Sequence, residues 1–212
     1  MHIQEVTLYT SSLSRTKQFY TKTLELPVYN ETDDLITFKT GSTLLSFRFI
    51  EGQKPFYHLA FNITNNKFSD SFEWINAKLD ILPMDNGLPI APYPDWNAES
   101  FYFHDNNGNI LEFISRFDLP YYSSDQFSVN DIKEISEVGI VTNDVSATAT
   151  RLQSEFGFHN FTKSKPTENF NVLGDDNGLL IITRNGRGWV PTHKPAQIFP
   201  MTIVADSKKI EL

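Results

Sequence analysis

Residues 3–26, IQEVTLYTSSLSRTKQFYTKTLEL, lie without a gap over residues 135–158, ISEVGIVTNDVSATATRLQSEFGF, and a repeat of this length bears on the fold before any single motif does. Ile3, Glu5, Val6, Thr10, Ser14 and Thr16 recur as Ile135, Glu137, Val138, Thr142, Ser146 and Thr148. Each copy opens with the period-two alternation of a strand, then reaches a polar pair, Ser11-Ser12 or Asn143-Asp144, suited to cap a helix. In the second copy Val145, Ala149, Leu152 and Phe156 then fall on one helical face.

A weaker third copy is HLAFNIT at 58–64, followed by Phe68, Phe72, Ile75 and Leu79 at helical spacing. After each opening come shorter strand-like runs: LITFKT and TLLSFRF, then SFYFHD and NILEFIS, then FNVLGD and GLLIITR. Their turns fall at Gly41, Asn107-Gly108 and Asn177-Gly178. The unit is β-α-β-β-β, which predicts an α+β fold of paired βαβββ modules, with curved mixed sheets enclosing a cleft and helices outside. FPMTIVAD, 199–206, reads as a fourth opening strand.

Residues 115–133 carry Pro120 and several Ser and Asp without periodicity. The expected division is therefore a first domain of two modules (1–118), a linker (119–133) and a second, incomplete domain (134–212) of one module plus a terminal strand. The edge of that fragment is expected to be met by the first domain or by a second subunit, which would make a homodimer.

The chain has 212 residues, 40% of them hydrophobic, enough for a packed core. Acidic residues number 26 against 18 basic, with no Lys or Arg run able to follow a phosphate backbone, which speaks against nucleic acid and anionic membranes as partners. No apolar stretch is long enough for a membrane span and the N-terminus enters a strand pattern directly, so a cytoplasmic location is expected. Cysteine is absent, so any metal must be held by His, Asp or Glu.

With the opening strands in register, Glu5, His58 and Glu137 share one position, opposite the apolar rows Val6-Leu8, Leu59-Phe61 and Val138-Ile140. Glu112, in NILEFIS, is a fourth candidate, with Leu45 and Ile182 read as its counterparts. Two modules curled around a cleft would bring Glu5, His58 and Glu112 together. An imidazole with two carboxylates suits a divalent Mn, Fe, Ni or Zn ion with positions left for substrate. On spacing alone, a solvated glutamate and a structural histidine account for the same residues.

These segments resemble the vicinal oxygen chelate superfamily: glyoxalase I, bleomycin-resistance proteins, fosfomycin-resistance thiol transferases and extradiol dioxygenases. EVTLYTSSLSRTKQFYTKTLEL resembles its H-V-T-L opening and helix, YHLAFNIT its H-I-A-F-x-V, and SFYFHDNNGNILEF its Y-F-x-D-P-D-G-N-x-x-E-F ending. The resemblance implies a metal cleft with Glu5, His58 and Glu112 as ligands, and substrate contacts at Thr7 and Tyr102. Those two residues equally suit hydrogen bonds across the sheet. The chain departs from the pattern at Glu5, where the family has His, at Leu45, where glyoxalases have Glu, and at Asn106-Asn107, where it has Pro-Asp. The basic residues that grip a phosphonate have no counterpart, which argues against fosfomycin as substrate.

Glu137 is expected to lack partners, because register sets it with Ile182 and Pro200, neither a metal ligand. The second domain therefore reads as non-catalytic, and RNGRGWVPTHKPAQIFP, 184–200, as a loop covering an edge, with closure over a ligand as the alternative. Two functions follow. One is a divalent-metal-dependent enzyme acting on a small oxygen-chelating substrate. The other is a non-catalytic binding protein of the bleomycin-resistance type, whose Phe56, Tyr57, Trp96 and Phe103 would stack on a flat ligand.

Overall fold

The computed structural model describes all 212 residues. The first module contains β1 (Ile3–Thr10), α1 (Leu13–Lys22), β2 (Val28–Glu31), β3 (Leu35–Thr40) and β4 (Thr43–Phe49). The second contains β5 (His58–Ile63), α2 (Phe68–Asn76), β6 (Ala91–Tyr93), β7 (Ala98–His104) and β8 (Ile110–Arg116). The third is one strand short, with β9 (Ile132–Thr142), α3 (Val145–Phe156), β10 (Phe170–Asp175) and β11 (Gly178–Arg184). Two hairpins end the chain: β12 (Gly188–Trp189) with β13 (Lys194–Pro195), and β14 (Thr202–Ala205) with β15 (Lys208–Glu211). Ser12 and Asp144 cap α1 and α3 by accepting hydrogen bonds from the Arg15 and Ala147 amides, as the polar pairs predict.

Within each module the opening strand lies parallel to the last one: β1 beside β4, β5 beside β8, β9 beside β11. Between modules the opening strands pair antiparallel, and here the structure departs from the expected division. β5 pairs with β9, so modules two and three share a seven-stranded sheet; β1 pairs with β14 in a six-stranded sheet. One core of 36 buried residues runs through all the modules, from Val6 and Leu8 through Phe61 and Val138 to Ile203. The chain is thus not split at residues 119–133. The edge of the terminal fragment is met by β1 of the first module, the first of the two expected alternatives, and β15 then forms the end of that sheet.

Burial explains the pairing. Every residue of β5 is buried, as is every residue of β9 from Glu134 to Ile140, so both strands need cover on two faces. β1 and β14 instead alternate buried with half-buried or exposed positions, the pattern of a sheet with one wet face. Strands with like burial have paired with like.

The β7–β8 turn is built on Asp105, which accepts hydrogen bonds from the amides of Asn107 (2.7 Å) and Asn109 (2.9 Å), the Asn109 side chain (2.7 Å) and Tyr20 (2.9 Å). Gly108 takes the left-handed φ of 76° that completes it. Asp105 thereby ties α1 of one sheet to the turn of the other. Asp105→Ala strands several buried donors and is expected to cost about 2–3 kcal/mol in urea unfolding. A loss below about 0.5 kcal/mol would show that the turn holds without it.

Candidate metal centre

Cross-strand partners in a sheet point to the same face. Ala60 of β5 has Glu112 of β8 as its partner on one side and Glu137 of β9 on the other, so both carboxylates rise over its methyl group. His58, two residues earlier on β5, projects to that face too. One ligand atom from each of His58, Glu112 and Glu137 lies within 4.8 Å of the others. His58 Nε2 is 3.6 Å from Glu112 Oε2 and 3.7 Å from Glu137 Oε2.

The surroundings orient these donors. His58 Nδ1 lies 3.2 Å from the Ile110 carbonyl, so it donates there and leaves Nε2 as the nitrogen that faces the carboxylates. Glu137 turns its other oxygen to the guanidinium of Arg116, which is itself 1% exposed. Glu112 is 2% exposed, with His58 as its nearest charged or chargeable neighbour and Ser100 beside it. A carboxylate buried this deeply is costly to ionise without a cation beside it.

Burial and the charge of Glu137 push the Glu112 carboxyl up to about 7. For His58, burial disfavours the imidazolium, but the Glu137 and Glu112 carboxylates outweigh it and the net direction is upward. Tyr102 is raised well above the ordinary phenol range by burial and then by the charge of Glu112. Two carboxylates and one oriented imidazole, with space beyond them, fit a hard or borderline divalent ion.

That space is a cavity of about 300 Å³ with the three donors at its buried end. Its walls include Trp96, Trp189, Phe170, Tyr93 and Tyr102, and the two tyrosine hydroxyls are 2.5 Å apart. Trp189 comes from the 184–200 segment and lies 5.0 Å from the His58 ring, ring centre to ring centre. Gly139 makes room for it: a Cβ there would stand 2.7 Å from the indole. The segment thus closes over the cavity, the alternative to the expected edge-covering loop.

The structure brings together His58, Glu112, Tyr102 and Trp96, and replaces Glu5 with Glu137. Glu5 and Thr7 lie on the wet face of the six-stranded sheet, lining a separate cavity of about 260 Å³ with Arg48 and Lys209. They are excluded from the centre because β1 pairs with β14 instead of β5. Glu137, expected to be without partners, is in the centre for the converse reason. The pleat also moves two counterparts by one residue: Glu112 corresponds to Ser46 and Ile181, set against Thr7 and Gly139, whereas Leu45 and Ile182 point into the core. In the terminal strand, Thr202, not Pro200, opposes Thr7 as Glu137 opposes Ala60.

Three aromatic residues expected at the ligand are placed elsewhere. Phe103 packs in the main core against Phe101 and Phe113, since it alternates with Tyr102. Phe56 sits in a smaller core beneath the Lys194 ammonium, and the Tyr57 hydroxyl donates to the Pro200 carbonyl at 2.9 Å. Sequence reasoning did not select Arg116, Tyr93 or Phe170, and reached Arg187 and Trp189 only through the less favoured alternative that segment 184–200 closes over a ligand. The usable signal was the pair of small residues, Ala60 and Gly139, on the face where module one carries Thr7.

No helix is long and apolar enough to cross a membrane. No family model and no curated protein matches the chain. Solved structures do share its fold. A Bacillus subtilis protein described as a "putative dioxygenase" superposes with a TM-score of 0.63 at 14% identity, over 86% of this chain and 63% of that one. A V278E mutant of glyoxalase I from Zea mays superposes with a TM-score of 0.56 at 14% identity, over 87% of this chain and 67% of that one. The chain therefore spans less than two thirds of the Bacillus protein and shares the fold of these dioxygenase-described and glyoxalase I structures.

Proposed function

We propose that this chain is a divalent-metal-dependent enzyme acting on a small substrate through adjacent oxygens, with His58, Glu112 and Glu137 as the metal ligands. The observation that carries the reading is the convergence of these three buried donors at the inner end of an aromatic cavity. A bound metal would supply Lewis-acid stabilisation of charge on the substrate oxygens. The protein's own part is positional. The Ile110 carbonyl fixes the tautomer of His58, Arg116 fixes the rotation of Glu137, and Trp96 and Trp189 exclude water from the cavity. The Tyr93–Tyr102 hydroxyl pair is placed to donate a proton toward a substrate oxygen, because Tyr102 is the cross-strand partner of Glu112.

A second reading, a sequestering protein without catalysis, is favoured by Arg116, which already balances one carboxylate while the aromatic walls suit stacking. Titration of the metal-free protein with Mn, Fe, Ni and Zn separates the two. The enzyme reading expects one ion per chain, lost on His58→Ala. Failure to load any of the four ions would sink it and leave the sequestering reading.

A further inference from the structure

We propose that the ligand of this cavity is a flat aromatic molecule bearing an anionic group, and that Arg187 receives that group at the cavity mouth. The inference deepens the reading of the cavity as a substrate site and rests on it. Arg187 is exposed while His58, Glu112 and Glu137 are buried, so the cavity runs from a cation at its mouth to carboxylates at its inner end.

Of the cations around it, Arg116 pairs with Glu137, Lys163 with Asp118 and Asp176, and Arg184 with Glu168, while Lys194 is turned away onto the Phe56 ring and the Gly108 carbonyl. Arg187 has no carboxylate partner. Its one side-chain hydrogen bond runs to Thr183 Oγ1 at 3.5 Å, the limit of such a contact. In a chain of net charge −8, a cation that lines a cavity and lacks an acidic partner points to an anionic ligand.

Arg187 is also held in place. Its amide donates to the Arg184 carbonyl at 3.0 Å, its carbonyl accepts from the Ala196 amide at 2.8 Å, and its guanidinium carbon stands 4.8 Å from the centre of the Phe170 ring. The geometry of the walls sets the rest of the ligand. Trp96, Trp189 and Phe170 offer ring faces and edges, and about 300 Å³ holds one or two fused rings.

The test compares 2-naphthoate with 2-naphthamide, equal in shape and different by one charge, in metal-free protein so that no ion competes for the carboxylate. Quenching of Trp96 and Trp189 fluorescence reports binding. The naphthoate is expected to bind about tenfold or more tighter than the amide. The preference should fall below about threefold in Arg187→Met, which keeps the apolar stem, and persist in Arg187→Lys. Equal affinities in the unmodified protein, a preference unchanged in Arg187→Met, or no binding of either compound would each overturn the proposal. Failure of metal loading leaves this comparison readable, so the two readings fail separately.

Discussion

Glu137→Ala is expected to weaken Mn(II) binding by more than about 100-fold, while Glu5→Ala changes it by less than about twofold. Residues that only orient a ligand are worth about 10–100-fold in metal affinity, so a lost ligand should exceed that range. Glu5 and Glu137 occupy the same position in their modules, and the contrast between them isolates the effect of strand pairing. Glu137 stands over Ala60 with Glu112 across from it; Glu5 faces Val204 and solvent in the other sheet. Calorimetric titration of the two variants beside the unmodified protein gives the comparison. Equal losses, or a larger loss for Glu5→Ala, would mean that the metal is held on the six-stranded sheet.

Arg116→Met is expected to destabilise the metal-free protein by about 3–5 kcal/mol, because removing one member of a buried ion pair leaves the other uncompensated. Arg116 lies between Glu137, which it bonds, and Asp176, whose Oδ1 is 3.7 Å away, and its guanidinium carbon lies 5.4 Å from the centre of the Trp96 ring. Its loss would leave Glu137 buried beside Glu112 with no fixed cation. For a chain of this length the thermal midpoint should fall by roughly 10 °C. Mn(II) should recover more of that loss in the variant than it adds to the unmodified protein, since the ion then neutralises carboxylates that Arg116 no longer balances. Adding Glu137→Gln should restore part of the stability without metal. A metal-free Arg116→Met protein within about 1 kcal/mol of the original would show that the Arg116–Glu137 pair does not support the fold.

Much of the local structure was legible in the chain. The repeat at 3–26 and 135–158 marked both opening strands and both capped helices, and the Gly and Asn-Gly turns fell between strands where expected. His58 and Glu112 could be read as neighbours because they belong to one module, whose parallel β5–β8 pair sets their spacing. The one-residue displacement of Leu45 and Ile182 has a simple cause: a strand has period two, so a slip of one exchanges a cavity residue for a core residue. Trp189 and Arg187 could be read only as members of a segment with two possible roles, for another reason. They come from a segment with little repeating pattern, and only its hairpin and the bare backbone of Gly139 place them over the centre.

The sequence by itself determined the module and the fact that Glu5, His58 and Glu137 would share one position of their opening strands, on the face away from the apolar row. Only the tertiary structure decided which modules share a sheet. Any two opening strands can pair antiparallel, and the choice depends on burial over whole faces, which depends on every layer packed against them. The pairing of β5 with β9 put Glu137 beside His58 and left Glu5 on the wet face of the other sheet.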